Sequence, residues 1–445
     1  MNKKSVAPQT DYNPVEILQR LIQFDTTNPP GNEGECIAFI NQLLTKAGIE
    51  TKLLARSPSR PNLIARLPGR GNAAPLLLYG HVDVVPTENQ RWQHPPFSGA
   101  LADGYVWGRG ALDMKGGVAM MLAAVLRARA DDMQLPGDVV LAIVPDEETF
   151  GQYGARFLVE SHPEEFSGIR YALGEFGGFS LVVGKRRFYP IQVAEKQICW
   201  LRVRFRGQGG HGSMPVRGGA MAKMAHFLKR LDTRSLPFHL TPPARLTFET
   251  MASRLGGVSG LAISQLLNPV LSGPLFRLLG ERGRFFAPLL RNTVSPTILR
   301  GSNSFNVIPG EVTVDLDGRL LPGFKPDDLI REVRAIGGDE GEIQVVRFDP
   351  GPTTLDMGLF DTLAGILKES DPEGVPCPLL LSGVTDGRFF SQLGIQTYGF
   401  LPMPLPEDFN FTHAIHAANE RIPIEAVEFG TRAIFQALQR FGGSG

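Results

Sequence analysis

The sequence predicts an α/β protein, a mostly parallel-sheet domain into which a smaller α+β module is inserted. Three observations predict it. Apolar strand-like runs alternate with helical stretches over the first 190 residues, as in a layered α/β domain. Near residue 190 the pattern changes to strict apolar/polar alternation, in "IQVAEKQICWLRVRFRGQGG" (191–210), which suits a half-exposed antiparallel strand. From about residue 355 the α/β character returns and runs to the end.

Taken in order, residues 14–25 and 34–48 have helical apolar spacing and flank the Pro/Gly-rich loop "TTNPPGNE" (26–33). The strand "PLLLYGHVDVV" (75–85) precedes a helix around 114–130, "MKGGVAMMLAAVLRARA". The strand "GDVVLAIVPDEE" (137–148), another helix and "RYALGEFGG" (170–178) complete the first α/β stretch. In the insert, strand 191–210, helix "MAKMAHFLKRL", strand-like 304–323, helix "PDDLIREVRAI" and strand "GEIQVVRFD" follow one another. With a further strand before 304–323, that order suggests a ferredoxin-like module. Extra helices are expected at about 250–292. The expected domains are thus 1–190 with 353–445, and an inserted 191–352.

The chain has 445 residues, and its 45 Lys+Arg balance its 45 Asp+Glu. No net field draws it to nucleic acid or to an anionic membrane. Cys36, Cys199 and Cys377 form no CxxC pair, which argues against a disulfide framework or a zinc-thiolate site and favours a reducing, cytoplasmic setting. "MNKKSVAPQTDYNP" has no apolar segment behind its lysines, so no secretory signal is expected. The most apolar long stretch, 255–276, is broken by Gly, Ser, Gln, Asn and Pro and is not expected to span a membrane.

Histidines and carboxylates recur where these strands end. His81 and Asp83 close one strand, Glu147 and Glu148 another, and Glu175 a third; Asp113 precedes a helix and His416 lies in a late loop. In an open parallel sheet, ligands bind outside the carboxyl ends of the strands. Singly, each residue has a plain explanation. A strand-end histidine is commonly just hydrogen-bonded, a Glu-Glu pair is commonly a solvated turn, and an Asp before a helix is a good N-cap. Their shared register favours a metal site. The donors are hard or borderline and include no thiolate, which suits a pair of zinc, cobalt or manganese ions. Such a pair needs a bridging carboxylate, two ligands per ion and a separate base. His81, Asp113, Glu148, Glu175 and His416 supply five ligands, and Glu147 is left beside Glu148 as the base.

The strings "TTNPPGNE", "YGHVDVVP", "GRGALDMKGG", "DEETFG", "GEFGG", "GQGGHGSMP", "NVIPG" and "HAANERIP" follow one another along the chain. In this order and approximate spacing the chain resembles the M20 family of metallopeptidases, which includes carboxypeptidases, aminoacylases and N-acyl-amino-acid hydrolases. Within it, "LLRNTVSPTILRGSNSFNVIPG" and the long insert resemble the carboxypeptidase S-like subgroup. The resemblance implies two divalent ions, zinc first with cobalt or manganese as alternatives. His81 and Glu175 would hold one, Glu148 and His416 the other, and Asp113 would bridge. It implies that Asp83 orients His81, that Glu147 is general base and then acid, and that the peptide after Asp113 is cis. By the same resemblance His211, in the insert, stabilises the oxyanion, from its own subunit or across a dimer. Asn306, Arg388 and the weaker candidate Arg319 would contact substrate. His413 competes with His416, and the "HxxNE" context favours His416. The insert would be a lid or dimerisation domain, so a homodimer is possible, and the helices at 250–292 could line a pocket for an apolar acyl group or serve packing or dimerisation.

The expected reaction is hydrolysis of an amide whose scissile nitrogen neighbours a free carboxylate, as in a dipeptide or an N-acyl amino acid. Two alternatives stand beside it. One is a binding or regulatory relative that has lost catalysis, against which the complete ligand set argues. The other is a different two-metal hydrolase such as a phosphoesterase, for which a basic cluster beside the ligands is missing.

Overall fold

A computed structural model describes residues 12–280, 283, 286–352 and 354–443. Residues up to 11 of the N-terminal stretch, and residues 281, 282, 284 and 285 of the expected extra helices, lie outside this description. The chain divides into two compact units. One runs to Val193 and resumes over Asp356–Pro378 and from Thr385, while the other is Ala194–Leu355 with Leu379–Val384.

At the centre of the first unit four strands run parallel, in the order Val139–Val144, Leu76–His81, Tyr171–Gly174 and Gln396–Gly399. They are short, and nearly every residue is buried. That is why they read as continuous apolar runs without alternation. The expectation of a mostly parallel sheet holds for this centre and not for its flanks. Glu50–Leu54 and Asn62–Leu67 form an antiparallel hairpin on one side, because a short connection can only return a strand antiparallel. On the other side Arg186–Glu195 pairs antiparallel with Gln396–Gly399. One face of the sheet is filled by a core that includes Leu77, Tyr79, Val140, Ala142, Phe166, Phe389 and Phe390. The helix Lys115–Ala130 is buried around almost its whole circumference and packs on Pro14–Ile22 and Ile424–Arg440. Its Ala, Gly and Met side chains suit a helix that is enclosed rather than amphipathic.

The second unit holds a four-stranded antiparallel sheet in the order Thr293–Arg300, Glu311–Leu320, Gln197–Arg206, Glu342–Asp349. With the helices Ala220–Thr233 and Pro326–Gly337 the chain runs strand, helix, strand, strand, helix, strand, the ferredoxin-like order. Alternate residues Leu201, Val203, Phe205, Val312, Val314 and Leu316 are buried with Phe227, Leu329 and Val333 of the two helices. That pattern is the alternation read in the sequence. The extra helices Pro242–Leu255, Gly257–Gln265 and Ser272–Leu279 are present. They contribute to a smaller core around Ala244, Phe248, Leu266, Leu289 and Leu290.

All three cysteines are buried and free. Among the described residues no helix is long and apolar enough to cross a membrane.

Candidate metal centre

The parallel strands all present their carboxyl ends on one edge, which gathers the residues that follow them. His81 is the last residue of Leu76–His81, Glu175 follows Tyr171–Gly174, and Glu147 and Glu148 come just after Val139–Val144. Asp113 lies two residues before the helix Lys115–Ala130, and the Asp113–Met114 peptide is cis. His416 comes from the loop after Phe411–Ala414, at a left-handed φ of 61°.

Two trios of donors result, His81 with Asp113 and Glu175, and Asp113 with Glu148 and His416; within each, the donor atoms lie within 4.8 Å of one another. They share Asp113 through different oxygens. Oδ1 is 3.2 Å from His81 Nε2, and Oδ2 is 3.2 Å from His416 Nε2. Glu175 Oε2 lies 3.5 Å from His81 Nε2, and Glu148 Oε1 lies 3.2 Å from His416 Nε2. Donors at 2.0–2.1 Å around a tetrahedral ion sit about 3.3 Å apart, so these spacings match the edges of two such polyhedra. Glu175 Oε1 is buried without a hydrogen-bond partner, a costly state unless something else meets it. The donor set therefore fits two divalent cations joined by one carboxylate. His413 joins neither trio among the described residues.

Asp83 is fully buried beside this centre. His81 Nδ1 is 3.0 Å from the Asp83 carbonyl oxygen and 3.4 Å from its Oδ1. The same carboxylate accepts the backbone N–H of Glu147 and of Glu148, each at 3.1 Å, and Asn28 Nδ2 at 2.9 Å. Asp83 thus holds the histidine ring, most closely through its carbonyl oxygen, and its carboxylate fixes the backbone of the two glutamates.

Without cations the carboxylates draw protons onto the histidines. Burial works against a charged His81, but hydrogen bonds to Asp113, Asp83 and Glu175 outweigh it and hold the ring well above its ordinary range. His416, bonded to Asp113 and Glu148, is raised to about 10. Burial lifts Glu148 to about 7 despite His416. Asp113 is also buried, yet the two histidines keep it below the usual carboxylate range. Burial, with the charges of Glu175 and Asp386, pushes Glu147 well above the ordinary value.

Arg388, expected to meet substrate, is 1% exposed. It donates to the Thr385 carbonyl at 2.6 Å and lies 3.7 Å from Glu147 Oε1. His211, Asn306 and Arg319 belong to the second unit. His211 is exposed, with Nδ1 2.7 Å from Ser213 Oγ, and pairs with Val307 across a two-residue bridge. Asn306 neighbours it, its carbonyl accepting from Gly212 N at 2.8 Å. Arg319 is engaged by Asp317 of its own strand, at 2.8 and 3.1 Å.

Sequence reading missed three residues of the first unit. Asp386 is buried with neither carboxylate oxygen hydrogen-bonded, and burial raises it to about 8. Arg109 and Glu420 form a buried ion pair at 2.7 Å. Arg109 and Glu420 sit inside strings already singled out, "GRGALDMKGG" and "HAANERIP", and Asp386 lies two residues before Arg388 in "SGVTDGRFF". The available signal was a charge embedded in a Gly- or Ala-rich run.

The chain is 30% identical to human N-fatty-acyl-amino acid synthase/hydrolase PM20D1 over 380 residues, covering 82% of this chain and 74% of that protein. It is 29% identical over 369 residues to a probable carboxypeptidase S-like protein of Dictyostelium discoideum, covering 79% and 68%. Its fold matches an M20 family metallo-carboxypeptidase of Sulfolobus solfataricus at a TM-score of 0.70, with 18% identity, over 96% of this chain and 99% of that one. Residues 77–440 match the model of peptidase family M20/M25/M40, and with the two trios at the strand ends inside that span, the chain belongs to this family.

Proposed function

We propose that this protein hydrolyses the amide bond of N-acyl amino acids or dipeptides that carry a free carboxylate beside the scissile nitrogen. The observation that carries the proposal is the pair of ligand trios sharing Asp113, with Glu147 next to Glu148 and in neither trio. The protein is a metal-dependent hydrolase of peptide or N-acyl-amino-acid amide bonds, as its family and its relatives described as aminoacylases and N-fatty-acyl-amino acid synthase/hydrolases indicate.

His81 and Glu175 would hold one divalent ion, Glu148 and His416 the other, and Asp113 both, with zinc the first expectation. Bound there, the ions supply Lewis acidity and make a water easier to deprotonate. Asp83 keeps Nε2 of His81 facing its ion by holding Nδ1. Glu147 takes the proton of the attacking water and passes it to the departing nitrogen. Its raised proton affinity in the metal-free protein suits a group meant to carry a proton, and nearby cations would lower that affinity. Arg388 supplies positive charge beside Glu147, and by family resemblance it is the anchor for the substrate carboxylate. His211 is proposed as the oxyanion donor and Asn306 as a substrate contact, with Arg319 a weaker candidate. The inserted unit is proposed as lid and dimerisation module in a cytoplasmic homodimer. Exposed Val258, Leu261 and Leu278 support an apolar acyl-facing role for its extra helices.

A panel of N-acyl amino acids, from short to long acyl chains, and dipeptides tests this with added zinc, cobalt or manganese. Turnover of at least one class, absent from Glu147→Ala, is expected. Turnover of phosphoesters with no amide cleaved would overturn it.

A further inference from the structure

We propose that the buried Arg109–Glu420 pair is the positioning element for the second ion, the one held by Glu148 and His416. This inference rests on the two-ion reading above.

Glu420 is the hub of the loop that carries the bridging carboxylate. Its Oε2 accepts Arg109 at 2.7 Å and Gly110 N at 3.1 Å. Its Oε1 accepts Leu112 N at 2.8 Å and Asp113 N at 3.1 Å. Three amides of the segment ending at Asp113 thus converge on one side chain. Arg109 faces the opposite way along the pair. It donates to the carbonyls of His416 at 3.2 Å and Ala417 at 3.1 Å, and to Gln90 Oε1 at 2.9 Å. Gln90 closes the ring, its Nε2 donating to the same His416 carbonyl at 3.1 Å. Asp113 and His416, some 300 residues apart in sequence, are therefore fixed by backbone hydrogen bonds to a single charge pair. Arg109 also lies over the Trp92 ring, 5.2 Å from its centroid.

The two ions should depend on this pair unequally. His81 is 1% exposed, ends a central strand and is held by Asp83. The side chain of His416 is 48% exposed, and its backbone sits at a left-handed φ of 61°, a region that a residue with a Cβ enters only under constraint. Arg109 and Gln90 supply that constraint at its carbonyl. A buried ion pair is poor evidence of stability in itself. Here its five bonds to the two ligand-bearing segments give it a geometric role. The fork of Arg, which Lys lacks, is needed to reach two carbonyls and a carboxylate at once.

The test titrates cobalt or zinc alone into metal-free wild type, Glu420→Gln, Arg109→Lys and Gln90→Ala, counting ions and affinities by calorimetry. His416→Ala identifies which of the two ions belongs to that histidine. Wild type should bind two ions. Glu420→Gln and Arg109→Lys should lose roughly tenfold to a hundredfold at the His416 ion, and stay within about threefold at the other. Gln90→Ala should show a smaller loss at the same ion. It also carries the test if Glu420→Gln does not fold. Two ions bound as in wild type by all three variants, or both ions weakened in equal proportion, would overturn the proposal. A wild type that binds fewer than two ions would instead remove the two-ion reading and this inference with it.

Discussion

At the residue scale, the Asp83 carboxylate accepts the backbone N–H groups of Glu147 and Glu148 and lies 3.4 Å from His81 Nδ1, so it bears on both the ring and the two glutamates. Asp83→Ala is expected to lower affinity for the His81 ion roughly tenfold to a hundredfold, read by zinc titration, while the protein stays folded by circular dichroism. Glu147→Gln should behave differently. It keeps both ions but lowers kcat by about 10²–10⁴, so metal content and rate separate. Unchanged kcat in that variant would assign the proton to another group.

The site residues also set a pH dependence. In the metal-free protein Glu148 is raised to about 7 from 4.5, and His416 to about 10 from 6.5. Both groups bind protons more tightly in the folded chain, so each adds stability at low pH. Glu148's contribution is lost as pH rises toward about 7, and His416's as pH rises through about 10. Metal-free protein should therefore melt at progressively lower temperature from about pH 5 to about pH 10. Cations must displace these protons, so the zinc-induced rise in Tm should grow over the same range. A zinc effect that shrinks with rising pH would contradict this protonation scheme.

Four of the proposed ligands, His81, Asp113, Glu148 and Glu175, were legible in the sequence because each stands near a strand end or a helix start, next to a run whose period is easy to read, whereas His416, in a loop, was legible only through "HAANERIP". Arg109 and Glu420 were not, because their meaning is a contact across some 300 residues that no spacing encodes. Asp386 is different: nothing in "TDGRFF" marks it, and only packing shows its carboxylate buried.

At the scale of the elements, strand ends place the ligands only as well as the strands are seated. Glycines make two close approaches possible there. A Cβ on Gly174, directly before Glu175, would lie 2.0 Å from the Tyr79 ring. A Cβ on Gly399 would lie 2.5 Å from the Glu175 carbonyl oxygen. Gly174→Ala should cost about 1–3 kcal/mol through overpacking and weaken the His81 ion, with a lowered Tm and a zinc titration as readouts. The parallel centre of the sheet was visible as uninterrupted apolar runs. Its antiparallel flanks were not, because Glu50–Leu54 and Arg186–Glu195 carry no signal of which neighbour they join. In the second unit the alternation of Gln197–Arg206 and Glu311–Leu320 gave both strands and buried face directly, since helices cover only one side.

At the scale of the molecule, the two units divide the expected chemistry. The first holds every proposed metal ligand, the base and Arg388, and the second holds His211, Asn306 and Arg319. Composition pointed away from nucleic acid, and pattern and motif order carried the rest. Under the proposed function, the extra helices of the second unit are where selectivity among acyl groups is expected to lie.

Two ions bridged by Asp113 are proposed to make this chain an amidohydrolase. The most direct measurement is the rate of N-acyl amino acid hydrolysis against equivalents of zinc or cobalt added to stripped protein. Activity absent without metal and rising to a plateau at two ions per chain, with Asp113→Ala inactive throughout, is the expected result. Amide hydrolysis that persists in stripped protein, or in Asp113→Ala, would contradict the account.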